Sequence, residues 1–240
     1  MGQMGGTRST SATPRREPQV EPNAILSKSF VLAGADLYRL ICQSCHGTDG
    51  KGAPPEINSL IGPVQGASAA MIQQRMKDRG TEISHEMAKE MAAEAEKSLL
   101  DRLQSGGKAM PPFKHLRRDE IAALLAYLDQ LAGVPASHHS GELVAESAAR
   151  VGEHLVKGTC HVCHDATGPG GGHMAMMRGV IPSLASLPRE QSLSSVIQQV
   201  QYGSSRMMMM HGQRMFAFSY VTDQEIAAAY FYLEAYSPRP

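Results

Sequence analysis

Residues 42–46 read CQSCH and residues 160–164 read CHVCH. All four cysteines of the chain, Cys42, Cys45, Cys160 and Cys163, fall in these two stretches, and each pair is followed at once by a histidine, His46 or His164. C-x-x-C-H is the spacing used for covalent haem attachment. Two thiols so placed reach the two vinyl groups on one porphyrin edge and form thioethers, and the adjacent imidazole then ligates the iron from below. A zinc site made from both pairs fits poorly, because the pairs lie more than a hundred residues apart and zinc ribbons draw their cysteines from a much shorter stretch. A thioredoxin-like dithiol needs a βαβ setting that neither stretch has. Two motifs therefore lead to an expectation of two covalently attached haem c groups.

The surroundings of the two motifs repeat. Gly34 lies eight residues before Cys42 and Gly152 eight before Cys160, and each is expected to open an amphipathic helix, with Leu37, Leu40 and Ile41 on one apolar face and Leu155 and Val156 on the other. Downstream, GKAMPPFKHLRRDEIAALLAYL from Gly107 aligns without gaps with GQRMFAFSYVTDQEIAAAYFYL from Gly212. The matched positions include Met110 and Met215, Phe113 and Phe218, Glu120 and Glu225, and Tyr127 and Tyr232. Each copy reads as a loop carrying one methionine and then a helix beginning near Asp119 or Asp223. The chain is a tandem repeat of one unit.

Each half, over residues 33–133 and 143–237, resembles a class I cytochrome c domain, and the whole resembles a two-domain dihaem cytochrome c. The resemblance implies an all-α fold: a helix, CxxCH, a middle helix, a methionine loop and a terminal helix around each haem. It implies that Met110 and Met215 complete the iron coordination opposite His46 and His164. It also implies that the first and last helices of each unit cross at a glycine and an aromatic, here Gly34 with Tyr38 and Tyr127, and Gly152 with Tyr232. In this family a proline carbonyl holds the proximal histidine; Pro182 in IPSL resembles that position, and Pro55 or Pro63 are the candidates in the first half.

The second methionine loop contains the run MMMMH. A middle helix is expected to end at Gly106 and again at Gly203; Met110 follows the first by four residues and Met215 follows the second by twelve. SSRMMMMH (204–211) is thus an insertion, and Met215 is the matched ligand, with Met207 to Met210 and His211 as rivals. For the first haem the rivals are His85 and His115, both expected at the surface. The run and a second cluster, HMAMMRG (173–179), could form a soft Cu(I) site with His173 or His211, or could cover a haem edge or a partner surface.

Residues 1–32 read as a disordered tail and 134–142, with His138 and His139 in water, as a linker between domains 33–133 and 143–240. The first half carries extra residues around MIQQRMKDRGTEISHEMAKEMAAEAEKSLL, rich in helix formers. Charge is balanced, 23 basic against 23 acidic residues, which offers no electrostatic footprint for nucleic acid. No apolar run is long enough to span a membrane. The expected function is one-electron transfer between redox protein partners, free or within a membrane electron-transfer complex, in the periplasm or on an outer membrane face. A dihaem peroxidase or a haem sensor is the alternative; each needs an open iron position, whereas two methionine loops close both.

Overall fold

The computed structural model describes residues 25–107, 110–135, 139–164, 183–203 and 215–236. Pro182, His138, His173, Met207 to Met210 and His211 lie outside these residues. The first half comprises β1 (Ser29–Leu32), α1 (Gly34–Ile41), α2 (Gln43–His46), α3 (Ile61–Gly66), α4 (Ala69–Asp78), α5 (His85–Ser105) and α6 (Arg118–Leu131). The second comprises β2 (Val144–Ser147), α7 (Ala148–Gly158), a short 3-10 turn (Cys160–Val162), α8 (Leu187–Glu190), α9 (Leu193–Tyr202) and α10 (Asp223–Tyr236). The architecture is helical, with one two-stranded ribbon among the described residues.

Local sequence sets these boundaries. Ser68, Ser84, Ser147 and Ser192 each accept a backbone N–H from the first turn of the helix that follows. The middle helices α5 and α9 stop at Gly106 and Gly203, whose φ angles of 71° and 73° favour a residue without Cβ. The extra segment of the first half is helical, but it forms two helices, because Gly80 at φ 76° ends the turn after α4 and Ser84 starts α5.

In each half the first and last helices cross at a glycine. A Cβ at Gly34 would overlap the carbonyl of Ala123 on α6 and press on Tyr127; a Cβ at Gly152 would overlap the carbonyl of Ala228 on α10 and press on Tyr232. The backbones can touch only because hydrogen stands there. Tyr38 and Tyr127 stack beside the first crossing with centroids 5.4 Å apart. Around the crossings lies one continuous apolar core, in which Leu37, Leu40, Leu124, Val151, Val156 and Ile226 are fully enclosed.

Three local expectations change. Gly152 does not open its helix: α7 starts a turn earlier, at Ala148, because Ser147 caps it directly out of strand β2. Residues 29–32 are not tail: they form β1 and pair antiparallel with β2, Phe30 opposite Glu146 and Leu32 opposite Val144. His139 is not in open solvent: its side chain is 11% exposed, with Nε2 4.0 Å from both Glu96 and Asp129.

Candidate haem sites and the seam between them

Each CxxCH stretch is a tight turn at the end of a helix. Cys42 closes α1 with its N–H on the Tyr38 carbonyl, and the N–H groups of Cys45 and His46 both return to the Cys42 carbonyl, at 3.1 and 2.9 Å. Cys163 and His164 return to the Cys160 carbonyl in the same way, at 3.3 and 3.0 Å. This folds both thiols and the imidazole of each motif onto one short arc. All four cysteines are free thiols. Burial pushes Cys42 and Cys160 up to about 12, with the neighbouring thiol of each motif adding to the rise, so both are neutral before modification.

His46 is already oriented. Its Nδ1 donates to the Asn58 carbonyl at 3.2 Å, which leaves Nε2 as the nitrogen for a metal. That carbonyl belongs to Asn58, not to Pro55 or Pro63. The loop reaches it because Gly52 N–H binds the His46 carbonyl and Ala53 pairs with Ile57, which turns Asn58 back under the imidazole. A Cβ on Gly52 would strike the Ile57 carbonyl. Burial also lowers the pKa of His46, which favours the neutral ring that a metal needs.

The two methionine loops are anchored alike. Phe113 N–H donates to Leu103 O and Phe218 N–H to Val200 O, both at 2.7 Å. Gly106 lies against the Met110 carbonyl and Gly203 against the Met215 carbonyl, so close that no Cβ fits without displacement. Met110 and Met215 are both half-buried. Each half thus offers two thiols, one imidazole and one thioether, with the first imidazole fixed in the metal-binding tautomer. This donor set fits a covalently held haem with histidine–methionine coordination.

The halves meet along a seam at which each buries a glutamate held by the other. The third residue of each terminal helix, Glu120 or Glu225, is buried, and an arginine of the other half grips it. Arg39 on α1 reaches Glu225 at 2.6 and 2.9 Å and the Tyr220 carbonyl at 3.1 Å. Arg150 on α7 reaches Glu120 at 2.6 and 2.7 Å and the His115 carbonyl at 2.9 Å. His115 and Tyr220 are matched positions of the repeat. His154 Nε2 joins Glu120 at 3.0 Å, and Arg117 joins Glu146. Burial raises Glu146, while bonds from His154, the Arg117 backbone and Arg150 outweigh burial at Glu120 and hold it well below the usual carboxylate range. Glu120, Glu146 and His154 are close enough to hold a metal ion. Two guanidiniums already neutralise the carboxylates, so a cation would meet repulsion there.

His115 is therefore no surface histidine. It packs at 5.5 Å against His154, and burial first, then its neighbours, bring it down to about 4. Composition gave no sign of this seam; the ungapped match of Glu120 with Glu225 was the available signal.

The CxxCH turns also touch. Thr159, the residue before Cys160, donates its hydroxyl to Leu40 O at 2.8 Å and lies 3.4 Å from the hydroxyl of Ser44, inside the first motif. Gly158 lies against Ile41, where a Cβ would stand 2.6 Å from Ile41 Cα.

Two family models match the chain. Residues 30–128 match the model for cytochrome c oxidase, cbb3-type, subunit III, and residues 149–237 match the model for cytochrome c. The chain is a two-domain c-type cytochrome, with two cytochrome c-type domains in tandem. Such domains imply electron transfer and haem c. No curated protein and no solved structure gives a significant match. Among the described residues, no helix is long and apolar enough to cross a membrane.

Proposed function

We propose that the chain is a dihaem electron carrier that relays single electrons between redox partners outside the cytoplasm. The observation that carries this reading is the duplicated donor set: two CxxCH turns, each matched by a methionine loop pinned through the same backbone bonds. When bound, haem supplies one-electron chemistry at its iron, and histidine–methionine coordination favours the reduced state. The protein supplies the rest. Cys42, Cys45, Cys160 and Cys163 would tether the rings, and His46 and His164 would each supply an imidazole to the iron. Met110 and Met215 would each supply a thioether as the second iron ligand, so that neither peroxide nor a gas would find an open position. The Asn58 carbonyl keeps His46 in one tautomer and orientation.

The likeness of the first domain to subunit III of a cbb3-type oxidase supports service within a membrane electron-transfer complex. Covalent haem attachment supports maturation in the periplasm or on an outer membrane face. The Pro182 carbonyl is the proposed acceptor for the His164 imidazole.

A pyridine haemochrome assay on denatured protein tests the reading, with two covalent haems per chain expected. The reduced protein is expected to bind little carbon monoxide. One haem or none, or strong carbon monoxide binding at either site, overturns it in favour of a different cofactor load or an open-site enzyme or sensor.

A further inference from the structure

The contact between the two CxxCH turns has a chemical consequence. Thr159 is bonded directly to Cys160, and its side chain is buried with its hydroxyl 3.4 Å from Ser44 Oγ. Ser44 is bonded directly to Cys45, and its hydroxyl lies 3.9 Å from the Cys45 sulfur. A run of covalent bonds and polar contacts therefore joins the thiol of one motif to the backbone of the other, without an apolar gap. The repeat does not duplicate it. Ile41 corresponds to Thr159 and Val162 to Ser44, so the matched side chains carry no hydroxyl, and Ile41 lies against Gly158.

Other groups flank this junction. Tyr220 stands over it: burial pushes its phenol up to about 12, with the Cys160 and Cys45 thiols as further neighbours. Cys163 also feels Cys45 across the seam. Arg39 binds the Tyr220 carbonyl and Glu225 together, which clamps the two turns in register.

We infer that the Thr159–Ser44 contact is the route by which an electron crosses between the two haem-attachment motifs, a role that rests on the dihaem reading above. Tunnelling decays more slowly along covalent and hydrogen bonds than across van der Waals gaps. A hydroxyl pair next to one cysteine of each motif, with its Thr159 member buried, is the least interrupted path across this seam among the described residues. The step moves one electron and no proton: one centre is oxidised by one unit and the other reduced by one. Thr159 and Ser44 are positioning residues, since neither touches the metal.

The test uses the holoprotein and begins with a haem count. Two haems per chain separates a failure of the path from a failure of the carrier reading. Half-reduced protein is then examined by NMR exchange spectroscopy of the shifted haem methyl signals, extrapolated to zero protein concentration so that only intramolecular exchange remains. Soret circular dichroism reports whether the two haems keep their mutual orientation. Thr159→Val is expected to slow exchange several-fold while the dichroism is unchanged. Thr159→Ser keeps the hydroxyl and is expected to keep the rate. Ser44→Ala added to Thr159→Val is expected to slow exchange no further, because both act on one path. An unchanged rate in Thr159→Val overturns the inference. So does an equal loss in Thr159→Ser, or slowing accompanied by altered dichroism, since the side chain would then act by holding the domains in place.

Discussion

Arg39, from the middle of the first helix of one domain, grips Glu225, at the third position of the last helix of the other, with both nitrogens of its fork. The Glu225 side chain is 6% exposed and also accepts the Thr222 N–H that starts α10. One carboxylate therefore caps a helix and locks two domains. Such a pair is worth most when broken on one side only, because the survivor stays buried without its partner. Arg39→Met is expected to cost roughly 3 kcal/mol in denaturant unfolding. Adding Glu225→Gln is expected to recover part of that loss, as a double-mutant cycle would show. A double variant that costs the sum of the two single variants would mean that the pair itself adds nothing to stability.

The helix crossings set a second expectation. Gly34→Ala and Gly152→Ala each drive a methyl group into a backbone carbonyl that cannot move aside. Each is expected to destabilise its domain by about 3 kcal/mol or more, the upper end of overpacking costs. Gly62→Ala in α3 serves as the control, because a Cβ there meets nothing within 4 Å. Calorimetry that finds all three variants alike would sink the close-crossing account.

The methionine loops can be checked by spectroscopy. Oxidised protein should show the weak near-infrared band of sulfur–iron ligation from both haems. Met215→Ala is expected to halve its intensity, and Met110→Ala to remove the other half. If the spectrum of Met215→Ala matches the parent, a residue of 204–211 supplies the sixth ligand instead.

Acid stability follows from His115. Its pKa in the folded protein, about 4, lies below the ordinary 6.5, so the unfolded chain binds the proton first. The neutral ring therefore stabilises the fold fully above pH 6.5, and this contribution is lost as pH falls from 6.5 towards 4. His161, also brought down to about 4 by burial, acts in the same direction. Glu146 opposes them, because burial raises its pKa. Chemical denaturation at pH 7 and pH 5 is expected to show a clear loss in the parent and a smaller one in His115→Gln. An equal loss in both would remove His115 as the cause.

The haem motifs, the repeat and the methionine spacing were legible from residue order, because they are set by chemistry over short stretches. Two thiols and an imidazole must be near neighbours to hold one ring. Gly106 and Gly203 mark helix ends through a backbone preference that any sequence carries. The expected ends of the middle helices and starts of the terminal helices fall where the structure has them, at Gly106, Gly203, Arg118 and Asp223.

What residue order left open depended on distant segments meeting. The carbonyl that fixes His46 belongs to Asn58, twelve residues away, and follows from the course of a loop. The burial of His115 required α7 to arrive beside it, and β1 became a strand only because β2 offered an edge. Arg39 and Glu225 look like ordinary surface charges in a helix pattern, and Thr159 like a neutral spacer before a cysteine. Their roles come from the docking of two similar domains, which brings each into a low-dielectric seam where a charge needs a partner and a hydroxyl needs an acceptor. By itself, the sequence determined what each domain can hold; tertiary structure alone decided how the two domains face each other, because that orientation is set by contacts that join distant elements, Arg39 with Glu225 and Thr159 with Leu40 among them.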